Sequence, residues 1–369
     1  MVNITGFRES IYISMNLEDL RKKIDQIDSK LVELLNERAQ VVIEIGKLKA
    51  DGPIYAPDRE KKVLQRIAEL NKGPLPDKTL NAIWRELMSG SFFLERPLRI
   101  GFLGPEGSFT HTAAIRKFGQ SVEYEPVLDI RGIFDEVSRG HCDLGVVPIE
   151  NSAGGGVIET LDAFVDTSVL ICAEVFMPIH HNLLANCKLE EVEKIYSKPE
   201  VFAQCRQWLG TTFKEANTIA VASTAKAAQM AAEEKNAAAI GSDIAAELYG
   251  LKMICENIED IANNVTRFLV ISKEDARPSG DDKTSILFST AHKAGALADV
   301  LDVFKKKEVN LTNIESRPSK KRQREYYFFV DCQGHRKDQK FIDCLDEVKQ
   351  HCLQLSVLGS YPKTDALLE

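Results

Sequence analysis

No run of apolar residues approaches the ~20 needed to cross a bilayer as a helix. None of the eight cysteines belongs to a Cys-x-x-Cys pair. The first absence excludes a helical membrane span. The cysteines, scattered at 142, 172, 187, 205, 255, 332, 344 and 352, suggest neither a zinc site nor a disulfide framework, and predict reduced thiols in a cytoplasmic setting. Basic charge is also short: 47 Lys+Arg against 55 Asp+Glu leaves a formal charge of −8, so nucleic acid is not the expected partner. Residues Met1–Ser14 lack the basic flank and apolar core of a secretory leader, and Met15 is the expected start of the folded region. There is no internal repeat or low-complexity tract. The chain has 369 residues, 44% of them hydrophobic and 28% charged. That composition describes a globular chain of two or three domains.

Three stretches differ in grammar. Residues 15–96 read as all-helical. Apolar residues at 20, 24, 27, 31, 34, 41, 45 and 48 keep a seven-residue repeat along one helix about 50 Å long at ~1.5 Å per residue. A helix of that length outruns its own small domain, so a partner chain is its expected cover. Asp51-Gly52-Pro53 breaks it; a second helix opens near Pro57-Asp58 and a third after Pro76-Asp77. Residues 97–273 alternate strand and helix signals, an α/β pattern expected to give predominantly parallel strands with ligands beyond the strand ends. A polar linker, 273–282, leads into residues 283–362, which read β-α-β-β-α with a last strand near Ser356–Gly359. That is a small ferredoxin-like α+β module.

The helical seam 24, 31, 38, 45 runs Ile, Leu, Arg, Ile. Arg38 therefore stands where the pattern reserves space for core. It pairs with a local Glu, marks the register, or meets an anion. Lys49 follows eleven residues later, roughly 16 Å along the helix and only ~20° around it, close enough to share a compact dianion with Arg38. Arg21 lies roughly 42 Å from Lys49 and can join the same small ligand only from an antiparallel partner helix. Arg59 and Glu60 open the second helix as ordinary first-turn charges, or as ligand contacts. Ser91 and Glu95 are spaced i, i+4 on the third. The run Leu-Arg-x-x-Ile-Asp-x-Ile-Asp (20–28), with Leu-x-x-Arg (35–38), Gly-Lys-x-Lys (46–49) and Asp-Arg-Glu (58–60), resembles the all-helical chorismate mutases. The resemblance implies that Arg21, Arg38 and Lys49 hold the carboxylates and ether oxygen of chorismate, that Arg59 and Glu60 orient the ring hydroxyl, and that Ser91 and Glu95 close the site. The reaction it implies is a pericyclic shift needing no metal, nucleophile or proton transfer. Ala56 stands where some relatives have Asp, and Glu95 where many have Gln. A carboxyl group donates a hydrogen bond only when protonated, so Glu95 is expected to act as the acid.

In the middle stretch, Gly104-Pro-Glu-Gly-Ser-Phe-Thr110 follows a strand and opens a helix, which poises its amides for an anion. It is neither a Walker loop nor Gly-x-Gly-x-x-Gly, so a nucleotide is not expected. Val147-Pro-Ile-Glu-Asn-Ser152 is a second strand end with polar side chains. Ser223-Thr224 opens a third helix, where an N-cap is the simpler explanation. Asn263-Asn264-Val-Thr-Arg-Phe268 leads into a strand. These motifs, with Thr-Leu-Asp at 160–162, resemble prephenate dehydratase, whose two α/β lobes are like those of a periplasmic binding protein. The resemblance makes Thr266 the catalytic residue. Ser108, Asn151, Ser152, Thr224 and Arg267 are its implied substrate contacts. His180 and His181 lack a third ligand at metal spacing and read as structural. No metal or other cofactor is expected.

In the tail, His292-Lys-Ala-Gly-Ala-Leu297 and Glu315-Ser-Arg-Pro318 are compatible with ordinary turns. In this element order they resemble an ACT regulatory domain of the phenylalanine-sensing kind. That implies an effector site at Gly295, Ala296, Leu297, Glu315, Ser316 and Arg317, between two such domains. The whole chain, apart from its first fourteen residues and the last few, resembles a bifunctional chorismate mutase/prephenate dehydratase inhibited by phenylalanine, a homodimer or higher homo-oligomer. The alternatives are a dehydratase with a degenerate mutase, use of arogenate in place of prephenate, and a non-catalytic amino-acid sensor.

Overall fold

The computed structural model describes residues 16–49, 52–213, 217–319, 326–364 and 366–368. The expected start at Met15, the stretch before it, and Asp51 of the first break lie outside the described residues. The chain divides into two compact units, Met1–Gly52 and Pro53–Glu369.

The first unit is carried by one helix, α1 (Leu17–Lys49). Asn16 Oδ1 accepts the Asp19 N–H at 2.9 Å. Glu18 and Asp19 at the start and Lys47 and Lys49 at the end complement the helix dipole. No residue of α1 is buried, and its apolar row, including Leu20, Ile24, Ile27, Leu31, Val41 and Ile45, is exposed.

The second unit opens with α2 (Pro57–Leu70), entered through a proline whose missing N–H costs nothing at a helix start, and α3 (Asp77–Glu95). The first α/β lobe follows: β1 (Arg99–Leu103), α4 (Phe109–Phe118), β2 (Glu123–Val127), α5 (Ile130–Arg139), β3 (Leu144–Asn151), β4 (Gly155–Gly156), α6 (Ile158–Val165) and β5 (Leu170–Pro178). Residues 179–181 cross to a second lobe built of β6 (Asn182–Ala185), β7 (Lys194–Ser197), α7 (Pro199–Gln204), α8 (Arg206–Thr212), β8 (Asn217–Ala220), α9 (Thr224–Glu233), β9 (Ala237–Gly241), α10 (Asp243–Leu248) and β10 (Lys252–Cys255). Residues 256–264 cross back, and β11 (Val265–Ser272) completes the first sheet. The strand orders are β2-β1-β3-β11-β5 and β10-β6-β9-β7-β8.

The sheets are mixed rather than predominantly parallel. Ladders β1–β2, β1–β3, β7–β8 and β7–β9 are parallel. By contrast β11 runs against both β3 and β5, and β6 against both β9 and β10. The reason is topological: each chain crossing delivers a strand in the reverse direction, which periodicity cannot register.

The C-terminal module runs β12 (Asp282–Ser289), α11 (Ala296–Lys306), β13 (Leu311–Pro318), β14 (Tyr326–Gln333), α12 (Gln339–His351) and β15 (Gln354–Pro362). Its antiparallel order, β13-β14-β12-β15, is ferredoxin-like. The polar stretch before it does not hold it away from the first lobe. Leu287, Tyr327, Phe329, Leu358 and Tyr361 join the first lobe's core. A Cβ on Gly359 would meet the Ile171 backbone oxygen at 2.1 Å, so β15 rests directly on β5.

Candidate active site

Strand alternation sorts the polar residues at the edge of the first sheet. In register, Thr266 of β11 stands opposite Asn151 of β3 and Met177 of β5, whereas its neighbour Arg267 stands opposite Glu150 and Phe176. Successive side chains on a strand point to opposite faces. A β-bulge on β3 lies between the partners of Arg267 and Phe268, an irregularity that commonly re-aims side chains beside active sites.

Thr266 is 7% exposed. Its Oγ1 accepts a hydrogen bond from Asn151 Nδ2 at 2.7 Å. The orientation of that amide is fixed from behind, because Asn151 Oδ1 accepts the N–H groups of Ala153 and Gly154 at 2.9 and 3.0 Å. Nδ2 can then only face Thr266 and Asn264, to whose Oδ1 it donates at 2.8 Å. Ser152 N–H donates to the Val265 carbonyl, Val265 N–H to Ser152 Oγ, and that hydroxyl to the Asn263 carbonyl. A hydroxyl is one donor and two acceptor sites. With a lone pair of Thr266 held by Asn151, its proton is directed elsewhere. The cluster thus offers an oriented O–H donor at the strand edge where the two lobes meet.

Asn264, 3% exposed, has no role in the sequence reading. Its place beside Thr266 in Asn-Val-Thr was the available signal.

Other expected contacts fall differently. Ser108 caps α4: its Oγ accepts the His111 N–H at 3.2 Å and spends its only proton on the Leu103 carbonyl at 2.7 Å. It therefore has no proton left for a carboxylate. The Gly107 N–H is likewise taken, donating at 3.0 Å to Nδ1 of His111. Burial pushes the His111 ring down from its ordinary value, which keeps that nitrogen an acceptor. From the second lobe Ser242 Oγ donates to the Gly107 carbonyl at 2.9 Å, so the glycine loop ties the lobes together. Thr224 is buried in the first turn of α9, and the cap there is Ser223, accepting from Lys226 N–H at 3.0 Å. His180 pairs with Glu259 at 2.8 Å and His181 Nε2 with Gln204 at 2.6 Å, both beside a lobe crossing.

Arg267 is not a substrate anchor. Its guanidinium, 6% exposed, faces away from Thr266 and is committed to Glu174 at 2.8 Å and Asp331 at 2.6 Å. Burial opposes its charge, but Tyr361, Asp331 and Glu174 outweigh that and raise its affinity for the proton.

Among the helical residues, α1 carries Arg38 half-buried, with Arg21 and Lys49 exposed. In the larger unit Arg59 is exposed. Glu60 Oε2 accepts from the Tyr55 hydroxyl and from Lys117 Nζ of α4, both at 2.8 Å. Burial first, then the Glu60 charge, hold the Tyr55 phenol well above its ordinary value, so it stays a donor. Ser91 Oγ donates to the Leu87 carbonyl at 2.6 Å, one turn from Glu95.

In the C-terminal module Gly295 caps α11 in the left-handed region at φ +83, where glycine is favoured. Ala296 is buried and Leu297 half-buried. Exposure alternates along β13, with Ser316 open and Glu315 and Arg317 half-buried. Ser316 pairs with Phe328, which packs under the helices, whereas Glu315 lies against Gly156 of the first lobe. Burial, and then the Glu150 charge, push the Glu315 carboxyl up. The three expected effector residues of β13 are thus split between the two faces of its sheet.

Helices, a two-lobed α/β module with an oriented hydroxyl at its edge, and a ferredoxin-like sheet packed behind that edge define a multidomain enzyme with a built-in regulatory module. Family patterns match accordingly: type II chorismate mutase over residues 20–96, prephenate dehydratase over 100–276 and the ACT domain over 284–350. A bifunctional chorismate mutase/prephenate dehydratase of Aquifex aeolicus (strain VF5) is 45% identical over 360 residues, covering 96% of this chain and 99% of its own length. The crystal structure of a prephenate dehydratase in complex with L-Phe from Arthrobacter aurescens is 32% identical, with a TM-score of 0.67, covering 73% of this chain and 91% of that one. GqqA, described as a novel type of quorum quenching acylase, is 28% identical with a TM-score of 0.67, covering 72% of this chain and 98% of its own. The chain belongs to the bifunctional chorismate mutase/prephenate dehydratase family.

Proposed function

We propose that this protein converts chorismate to prephenate and prephenate to phenylpyruvate, under inhibition by phenylalanine. The observation that carries the second step is the bond from Asn151 to Thr266 Oγ1. It leaves the Thr266 proton to be donated to the departing ring hydroxyl, which leaves as water, and the Thr266 oxygen takes a replacement proton from solvent. The ring carboxylate departs as CO2, and its bonding electron pair enters the ring as it aromatises. Asn151, Ser152, Asn264 and Thr224 frame this site; Ser108 shapes the loop through its cap. We assign the mutase to residues 15–96, the dehydratase to 97–273 and the ACT module to 283–362.

In the mutase, Arg38, Lys49 and a partner chain's Arg21 hold the substrate. Arg59, Glu60, Ser91 and Glu95 complete the set, and catalysis is confinement of the reactive conformer with charge stabilisation at the ether oxygen. The partner is a second copy of this chain. Leu20, Ile24, Ile27, Leu31, Val41 and Ile45 of α1 are each about half exposed. Full burial of such a side chain contributes ~1.5–3 kcal/mol. Covering the remaining half of six on each of two helices contributes roughly 9–18 kcal/mol, enough to offset an association cost of ~4–15 kcal/mol. No described helix is long and apolar enough to cross a membrane, and the free thiols suit a cytoplasmic protein.

The test follows chorismate loss and phenylpyruvate appearance, with and without phenylalanine. Phenylpyruvate formation that phenylalanine suppresses is the expected result. Accumulating prephenate would refute the Thr266 assignment, and persistent chorismate with consumption of added prephenate would mark the mutase as degenerate. A second expectation concerns Glu95. A carboxyl donates to the ether oxygen only when protonated, whereas an amide always can, so Glu95→Gln is expected to keep or raise mutase turnover. A Glu95→Gln variant that loses mutase turnover would count against the donor role.

A further inference from the structure

Directly behind Thr266 lies a buried polar ring that the proposed chemistry does not use. Arg267 Nη2 donates to the Tyr361 hydroxyl at 3.0 Å. The Tyr361 and Ser285 hydroxyls are bonded at 2.7 Å, and Ser285 Oγ donates to Asp331 Oδ1 at 2.5 Å. Asp331 Oδ2 returns to Arg267 Nη1 as an ion pair at 2.6 Å. A guanidinium only donates and a carboxylate only accepts, so the ring has one direction: Arg267 to Tyr361, Tyr361 to Ser285, Ser285 to Asp331. Outside it, Glu174 Oε2 receives Arg267 Nε and Lys283 Nζ, each at 2.9 Å. Both cations also lie over the Phe176 ring.

The ring spans two modules. Arg267 and Glu174 belong to β11 and β5 of the first lobe, whereas Lys283, Ser285, Asp331 and Tyr361 belong to β12, β14 and β15 of the C-terminal sheet. All six are less than 9% exposed. Two charge pairs removed from water are costly, and an apolar interface of the same volume would usually be at least as stable. Stability alone therefore does not account for them. Their position is informative: Arg267 is covalently next to Thr266, on a strand whose two neighbours carry Asn151 and Met177. Each sheet also has a β-bulge there, between the partners of Arg267 and Phe268 in one and of Ser285 and Ile286 in the other.

We propose that the Arg267–Asp331 pair is the link through which effector binding in the C-terminal module is felt at Thr266. The proposal rests on the reading that phenylalanine binds that module. A shift of β14 relative to β5 stretches Arg267 between Asp331 and Glu174. Away from water, the guanidinium has no third partner of equal strength, so β11 moves with it. The register of Thr266 against Asn151 then changes. Arg267 is a positioning residue in this scheme, and Asp331 its handle on the regulatory side. The effector supplies coupling only to the extent that it favours one arrangement of the two sheets over the other.

The experiment uses the full-length chain with Asp331→Asn, which keeps the shape and removes the charge. Three quantities are read on one preparation: phenylalanine binding by calorimetry, mutase turnover, and dehydratase turnover with and without saturating phenylalanine. Binding and mutase turnover are expected within about threefold of wild type. The ratio of uninhibited to inhibited dehydratase turnover is expected to fall by about tenfold, or to unity if the native ratio is smaller, within the usual range of allosteric couplings. A role in stability alone would not move that ratio once the site is saturated. A variant that binds phenylalanine and keeps the native ratio overturns the proposal. If Asp331→Asn fails to fold, seen as loss of mutase turnover as well, Arg267→Lys decides. It keeps the positive charge but loses the planar fork that holds Asp331 and Glu174 at once, and an unchanged ratio in it is equally fatal. A wild-type protein that neither binds nor responds to phenylalanine overturns the regulatory reading itself, and the proposal with it. That outcome is distinct from a native response that survives the substitutions.

Discussion

Thr266→Ala is expected to lower dehydratase turnover by about 10²–10⁴-fold, the usual contribution of a positioned proton donor, with mutase turnover unchanged. The loss should fall on kcat more than on KM, because the hydroxyl acts on a leaving group whose charge develops only in the transition state. Thr266→Ser keeps the O–H and is expected within about tenfold of wild type. The fold should survive, since removing Oγ1 leaves only the Asn151 donor short of one partner, a cost of ~1–3 kcal/mol. Asn151→Asp is the more telling companion. It replaces the donor facing Thr266 by an acceptor, so the Thr266 proton turns towards the carboxylate and away from substrate. Turnover in that variant should fall as far as in Thr266→Ala, although the hydroxyl is still present. Prephenate consumption at the native rate in either variant would remove Thr266 from the chemistry.

Much of this arrangement was legible in the sequence because it is local. The heptad row of α1, the proline at the start of α2, the strand-to-helix loop at 104–110 and the polar end of β3 are set by residues close in the chain. Motifs at strand edges single out Thr266 and Asn151 one at a time; that the two are bonded partners is visible only in the fold. What could not be read was anything decided by docking. Lys283 and Asp331 sit in strands whose charges suggest solvent, yet they are buried because the C-terminal sheet lies on the first lobe. The same docking turns Arg267 from an apparent carboxylate anchor into an interface residue. Strand alternation already said that Thr266 and Arg267 point opposite ways; which of the two faces the cleft depends on what covers the other side. Ser108 departs from its expected role for a different reason. A hydroxyl at a helix start has one proton, and the sequence does not show that the Leu103 carbonyl takes it.

Mixing two inactive mutase variants is expected to restore activity. Arg21 and Lys49 lie near opposite ends of α1, a helix of 33 residues, and are separated by roughly 42 Å at ~1.5 Å per residue. Chorismate is far smaller, so one chain cannot bring both to one molecule of substrate; an antiparallel second helix can. Arg21→Ala and Lys49→Ala should each lower mutase turnover by about 10²–10³-fold, as removal of a charge-stabilising donor does, and leave the dehydratase intact. In a mixed dimer one site receives both native residues and the other receives neither. Random re-association of equal amounts makes half the dimers mixed, each with one of two sites native, so about a quarter of wild-type turnover should return. The dehydratase, measured on the same samples, reports protein that has been lost rather than exchanged. Exchange verified by differently tagged chains, with no recovered mutase turnover, would mean that Arg21 does not act in a shared site. It would then have to be reassigned to the exposed face of α1.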